Sequence, residues 1–409
     1  MMKRLAMTLF LFCFAQTALW QVAAQTRNSV SKDDDGVWVW SWSEDGNSLE
    51  LKVRGDVQFA DDYTSVRRMS PGSSLRLKEK RGGVNRRLEI ESGSAGMTVS
   101  YYVDGQSRPY DAEAKAWFSK VLTEAVIQTG LDAGPRAQRI LKDSGVNGLL
   151  DEISRLRSDH VKHLYFQELF RSGRLEAGNT PEVLKRASLE IKSDHYLAQV
   201  MLALPEQLQA NEAVRSAYLE AAGRIGSDHY RAQVISSGLK RSNPSKESLL
   251  MALNGAAGIS SDHYKTQVLL KVAESSLDDQ RLRLAYLEAA GAVQSDHYKT
   301  QALLKAAEGP LDGAAAGSAY LKAATSIGSD HYRSQALFAF LGKAKISNDA
   351  LLATLKAAES MSDHYRAEML LRLAATHSGD ESFRAALVES ARTIKSEHYR
   401  GRVLSAIFK

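Results

Sequence analysis

The motif Ser-Asp-His-Tyr, with small variations, starts at Ser158, Ser193, Ser227, Ser261, Ser295, Ser329, Ser362 and Ser396. The successive spacings are 35, 34, 34, 34, 34, 33 and 34 residues. A chain that returns to the same short phrase at a fixed period is an array of one supersecondary unit. The fifth unit reads LDDQRLRLAYLEAAGAVQ and then SDHYKTQALLKAAEGP. Leu282, Leu284, Tyr286, Leu287 and Ala290 recur at helical spacing, and Gly291 follows where helices commonly end. After Ser295, the residues Tyr298, Ala302, Leu303 and Ala306 repeat that pattern on one side of a second helix. A helix pair this short cannot bury its apolar side alone, so the copies must stack. The period predicts an α-solenoid over residues 135–409.

This array resembles the broad class of helix-pair repeats that includes the HEAT-like and tetratricopeptide families. The resemblance covers about two-thirds of the chain. The period of 34 is that of tetratricopeptide repeats, but AYLEAAG and SDHY stand in place of their Trp, Gly-Tyr and Pro pattern. The resemblance implies an extended surface for a protein or peptide partner.

An acid beside a histidine invites an active-site reading. Consecutive residues do not face one another on a helix, so Asp and His of one motif make a poor dyad. Helix initiation explains the first two letters. Ser227 is expected to cap its helix through its hydroxyl, and Asp228 to favour the positive helix end. Asp228 is also expected to pair with Arg231 three residues on, a spacing that fails only where Leu197 follows Asp194. The Tyr is expected to be core. The pairs His195/Gln199, His229/Gln233, His263/Gln267, His297/Gln301 and His331/Gln335 lie four apart, on one helical stripe. They are expected to form a polar ladder from copy to copy, since each side chain both donates and accepts. The stripe changes to His364/Glu368 and His398/Arg402. The sharper alternative makes the row a set of metal or acid–base sites, serving a metal-dependent hydrolase.

Residues 36–110 are patterned differently. VWVWSW, SLELKV, SLRLKEK, RRLEIE and MTVSYYV alternate with period two and are separated by EDGN, SPGS, GGVN and SGSAG. This predicts an antiparallel β-domain of five to seven strands. A linker is expected over 25–35, and a connecting helix over 111–134 with Asp111 as its N-cap. The fold class is therefore α+β multidomain, a small β-domain followed by about eight helix pairs. Such a pairing resembles that of some exported bacterial proteins.

Two features of the β-domain suggest contacts. Trp38, Trp40 and Trp42 alternate and so share one face, either as core or as a platform for a flat ligand. Arg76, Lys78, Lys80, Arg81, Arg86 and Arg87 flank RGGVNRR, a hairpin turn, with Glu79 as the only acid among them. They read as a charged face that resists edge pairing or as a dock for anionic envelope material.

Lys3 and Arg4, the apolar run from Leu5 to Trp20 and Val22-Ala23-Ala24 read as a secretory signal over 1–24, cleaved near Ala24. Cleavage would remove Cys13, the chain's only cysteine, and take the formal net charge from +5 to +3. An exported protein without a disulfide suits a bacterial periplasm. Positive charge this small, with no long basic tract, argues against a nucleic-acid partner. No Ser-His-Asp order, phosphate-cradling glycine loop or metalloprotease helix stands out, and no cofactor is expected. The function expected is an exported, non-enzymatic scaffold. The alternatives are an envelope-binding protein docking through the basic hairpin and the metal-dependent hydrolase.

Overall fold

The computed structural model of the chain describes residues 27–32, 36–240, 244–275, 277–311, 313–343, 346–377 and 380–408. The segment read as a signal peptide, Cys13 included, lies outside them. The described residues form two compact units, divided between Leu131 and Asp132.

The described residues of the first unit form nine strands and one helix. These are β1 (Arg27–Lys32), β2 (Trp38–Glu44), β3 (Asn47–Arg54), β4 (Val57–Phe59), β5 (Val66–Met69), β6 (Ser74–Arg81), β7 (Val84–Gly93), β8 (Gly96–Val103), β9 (Gln106–Arg108) and α1 (Ala112–Thr129). Seven strands make one antiparallel sheet in the order β1-β2-β3-β6-β7-β8-β9, and β4 pairs with β5 apart from it. The expected linker over 25–35 thus contains a strand. Its RNSVSK sequence has no apolar alternation, and main-chain pairing with β2 orders it. Eight strands, more than the five to seven expected, lie between residues 38 and 108. Gly82 and Gly83, at φ 59° and 83°, make the tight β6–β7 turn, a backbone region open to glycine.

Period-two alternation sends Trp40, Leu49, Leu51, Val53, Leu75, Leu77, Leu88, Ile90 and Tyr101 to one face, all buried. Phe118, Val121, Leu122, Ala125 and Val126 of α1 close that core. Asp111 Oδ1 accepts from the Ala114 amide at 3.0 Å and starts α1. The helix expected to connect two domains is therefore the second layer of the first, because its apolar stripe covers the sheet.

The second unit is a run of helix pairs. The motif opens α3 (Asp159–Arg171), α5 (Asp194–Leu202), α8 (Asp228–Gly238), α10 (Asp262–Val272), α12 (Asp296–Ala306), α14 (Asp330–Leu341), α16 (Asp363–His377) and α18 (Glu397–Ile407). Each follows a partner: α2 (Ala133–Arg155), α4 (Thr180–Glu190), α7 (Glu212–Ala222), α9 (Lys246–Ala257), α11 (Gln280–Gly291), α13 (Ala314–Thr325), α15 (Asn348–Ala358) and α17 (Glu381–Arg392). A short α6 (Glu206–Gln209) lies between α5 and α7. α2 breaks at Gly145, whose φ of 66° and ψ of −163° are not helical. Within a pair, the buried tyrosine of the first helix donates to the second: Tyr286 Oη to Ala302 O at 3.2 Å, and Tyr320 Oη to Ala336 O at 2.9 Å.

The copies are joined by the motif aspartates. Asp262 Oδ2 accepts from the Ser295 amide at 2.6 Å and from Gln294 at 3.1 Å, in the loop that opens the next motif. Asp159, Asp194, Asp228, Asp296 and Asp363 accept from the same two amides of the following copy, and Asp330 accepts from Ser362. Ser158, Ser193, Ser227, Ser261, Ser295, Ser329 and Ser396 occupy N-cap positions in extended conformation, but their hydroxyls make no capping bond among the described residues. The incoming carboxylate instead binds the serine amide and the one before it, so the hydroxyl-cap expectation is corrected.

The expected Asp-to-base pairing is corrected as well. Among the described residues, only Arg333–Asp330 at 3.9 Å and Arg400–Glu397 at 3.6 Å come within ion-pair range. The bases serve helix ends instead. Arg231 Nε donates to Ile225 O at 2.7 Å, Arg333 Nε to Ile327 O at 2.7 Å, and Lys162 Nζ to Glu190 O in the next copy at 2.8 Å. Carbonyls left over at a helix C-terminus are good partners for cations.

These contacts predict opposite outcomes at neighbouring residues. Asp262→Ala should lower stability by about 1.5–3 kcal/mol, the scale of charge-assisted hydrogen bonds. Ser261→Ala should cost less than about 0.5 kcal/mol, below a usual N-cap loss. Urea unfolding of both variants checks this.

Candidate functional site: the histidine–tyrosine ladder

Helical periodicity turns the motif histidine outward in each copy from the second onward. His195, His229, His263, His297, His331, His364 and His398 are all exposed. The next copy's motif tyrosine meets the first six of these rings. Centroids are 5.6 Å apart for His195–Tyr230, 5.4 Å for His229–Tyr264, 5.6 Å for His263–Tyr298, 5.6 Å for His297–Tyr332 and 5.7 Å for His364–Tyr399. The rung opens to 6.4 Å at His331–Tyr365, where the sequence spacing shortens to 33.

Hydrogen bonds give the rungs a direction. His195 Nδ1 lies 2.9 Å from Tyr230 Oη, His263 Nδ1 3.2 Å from Tyr298 Oη, and His364 Nδ1 3.3 Å from Tyr399 Oη. On the other side, Gln199, Gln267, Gln301 and Gln335 place Nε2 at 3.0, 3.0, 3.0 and 2.9 Å from Nε2 of the histidine four residues before. The copy-to-copy contact is therefore His to Tyr, and Gln holds its own histidine. That corrects two expectations. The motif tyrosines are half-buried rungs, whereas Tyr218, Tyr286 and Tyr320 of the preceding helices are buried. From the third helical position, each of these rings turns onto the preceding copy's histidine instead.

The third copy corrects the expected ladder at one more place. Gln233 is exposed on the same stripe, four residues after His229, but makes no hydrogen bond to it among the described residues. His229 meets Tyr264 through ring contact alone. Helical spacing brings two side chains to one stripe without fixing their rotamers. For an exposed glutamine, a bond to water replaces the bond to histidine at little net cost.

The chemistry follows from the geometry. A glutamine amide donating to Nε2 puts the ring proton on Nδ1, which donates to the phenol. The phenol hydrogen and the glutamine carbonyl are then left without a partner inside the rung. A complete rung, as at His195 and His263, thus keeps two donors, the phenol hydrogen and the second amide hydrogen, and the glutamine carbonyl as acceptor. Glu368 replaces glutamine in the seventh copy and lies 3.7 Å from His364. Among the described residues, no group of three or more His, Cys, Asp or Glu side chains gathers as metal ligands would. The ladder supplies one imidazole per copy.

The first copy departs from this pattern in a way the repeat comparison did not single out. SDHVKHLYF places Val161 at the tyrosine position and His163 where later copies have small residues such as Ala198, Ala232 and Thr266. His163 is 6% exposed, and neither ring nitrogen has a hydrogen-bond partner among the described residues. Its ring lies 5.6 Å from Tyr196 and 6.4 Å from His160. Burial, reinforced by the charges of His160, His195 and Arg171, pushes its pKa down to about 4. Burial lowers His160 too.

In the first unit, Trp38, Trp40 and Trp42 share the sheet face that carries the core. Trp40 is buried, Trp42 half-buried against that core, and Trp38 43% exposed at its edge. The six basic residues do not share a face. Strand parity sends Arg76, Lys78, Lys80 and Arg87 away from α1, and Arg81 and Arg86 towards it. Arg81 pairs with Glu79 at 3.1 Å and Glu124 at 3.4 Å, and Arg86 stands 3.9 Å from Glu113. The single acid of that stretch, Glu79, is buried and accepts from Trp117 Nε1 at 2.7 Å.

No family model matches the chain, and no curated protein matches it. Among solved structures, it is similar to a chain described under computational design of self-assembling cyclic protein homooligomers. Identity is 14%, covering 70% of this chain and 93% of that one, at a TM-score of 0.15. A likeness at that score carries no argument. No helix among the described residues is long and apolar enough to cross a membrane.

Two measurements follow. The ¹⁵N chemical shifts of His263 and His297 should show the Nδ1–H tautomer, and Tyr298→Phe should cost about 0.5–1.5 kcal/mol, the worth of one hydrogen bond. His163 should make stability depend on acidity. Its folded pKa lies below its unfolded one, so the unfolded chain binds the proton first as pH falls from 6.5 towards 4. Its contribution is complete above pH 6.5 and should shrink by about 1–2 kcal/mol by pH 5. His163→Leu should remove that part of the slope in paired unfolding curves.

Proposed function

We propose that this chain is an exported, non-enzymatic scaffold of the bacterial envelope, whose helical array presents an extended surface to a peptide segment of a partner protein. The observation that carries this reading is the ladder of exposed histidines, with donors and an acceptor left over at each complete rung. Stacked helices lie about 8–10 Å apart. An extended peptide advances about 3.3 Å per residue. One rung therefore meets about every third residue of such a chain, and a peptide backbone alternates donors and acceptors in the same way. Helix-pair repeats at large use such surfaces for partners.

Photo-crosslinking amino acids at Gln267 and Gln301, on the ladder, and at Arg281 and Glu288, on the partner helix α11, test the reading in cells. A defined protein captured from the first two positions and not from the other two is the expected result. Equal capture from all four, or none, overturns it. The export part is checked separately by N-terminal sequencing of the envelope fraction, where the chain should begin at Gln25.

A further inference from the structure

The outer face of the seven-stranded sheet carries a charge arrangement that neither the core nor the ladder uses. Register sets Lys78 opposite Arg87 and Lys80 opposite Asn85 across β6 and β7. The same rows continue to Glu50 and Ser48 on β3, and from Arg87 to Tyr102 on β8. Directly opposed residues on one face have their Cβ atoms about 4.5–5.5 Å apart, where like charges repel. The nearby carboxylates compensate this only in part. Glu89 is 2.7 Å from Arg76 and 3.6 Å from Arg87. Glu50 is shared between Lys52 at 3.6 Å and Lys78 at 3.8 Å. Lys80 pairs with no carboxylate among the described residues. Asp104, on the β8–β9 turn, directs Oδ1 to the Asn85 amide at 2.9 Å and to its side chain at 3.4 Å.

The cations are also shaped into a site. Ser48, Lys78, Lys80, Asn85, Arg87 and Tyr102 line a hollow of about 270 Å³, together with Gly105 and with Glu79 and Arg86, which alternate to the core face. The Arg87 guanidinium lies over the Tyr102 ring, 4.1 Å from its centroid, which fixes its plane. Its Nε is shielded from solvent, faces Glu89 at 3.6 Å and has no hydrogen-bond partner among the described residues. Three cations, two hydroxyls and an amide around one hollow match the charge and the several acceptor oxygens of a phosphoryl group.

We propose that this hollow binds a phosphoryl group, a phosphate mono- or diester, through Lys78, Lys80 and Arg87. The bound anion sits between the opposed cations and removes their repulsion. The site belongs to the first unit and the ladder to the second, and the proposal does not depend on the scaffold reading. Its ligand has two sources with one chemistry, a phospholipid head group or a free phosphorylated small molecule.

The full chain is titrated by calorimetry with inorganic phosphate, and by flotation with phosphatidylglycerol vesicles against phosphatidylcholine ones. Saturable, salt-sensitive phosphate binding is expected, about ten-fold weaker in Lys80→Gln and in Arg87→Gln. Lys52→Gln, on the same face outside the hollow, should stay within about two-fold. Selective flotation with phosphatidylglycerol, competed by phosphate, assigns the lipid source, and phosphate binding without flotation assigns the free one. No binding of either probe, or equal losses in Lys52→Gln and Lys80→Gln, overturns the proposal. Lys80 is exposed and makes no core contact, so its variant keeps the test open should Arg87→Gln unfold.

Discussion

The carboxylate that reaches from one copy to the two amides opening the next is the interaction on which the array depends. A helix N-terminus leaves several N–H groups without partners, and the loop before it adds more. In most helices a neighbouring side chain answers that need. Here the answer comes from about 33 residues upstream, from Asp159, Asp194, Asp228, Asp262, Asp296, Asp330 and Asp363 in turn. Each junction is stabilised only when the previous copy is in place. The apolar faces supply adhesion, and the aspartates supply alignment.

That alignment produces the ladder. With Asp262 tied to the start of α12, the motif tyrosine of that helix can only arrive beside His263. Where the spacing is one residue shorter, His331 and Tyr365 stand further apart. Surface chemistry here follows from register, since the side chains are exposed and little else holds them.

Much of this was legible in the sequence. The period, the helix pairs and the alternating strands all follow from apolar spacing, which is local and strong. The share of Asp262 between its own helix and the next was not legible, because an acid at a helix start satisfies a local rule well enough. The same local logic favoured a Ser261 cap and an Asp–Lys pair that the tertiary contact displaces. Spacing alone also could not separate Gln233, which leaves His229 unheld, from Gln267, which holds His263. β1 was missed because RNSVSK carries no apolar alternation. The division of Arg81 and Arg86 from the other four basic residues was readable by counting parity through the turn. The hollow beside Tyr102 was not, since it needs four strands in register. His163 could have been noticed as the one bulky polar residue in a column of small ones.

The near identity of the aspartate junctions has one more consequence. A carboxylate that accepts from one motif's amides will accept equally well from another's, in the same chain or in a second molecule. An array joined this way is exposed during folding to slipping by a whole copy, or to exchanging copies between chains. The irregularities then act as markers of position. Spacings of 35 and 33, the extra α6, Val161 in place of tyrosine and Glu368 in place of glutamine each make one junction unlike its neighbours. A perfectly regular version of this protein would be the harder one to fold correctly.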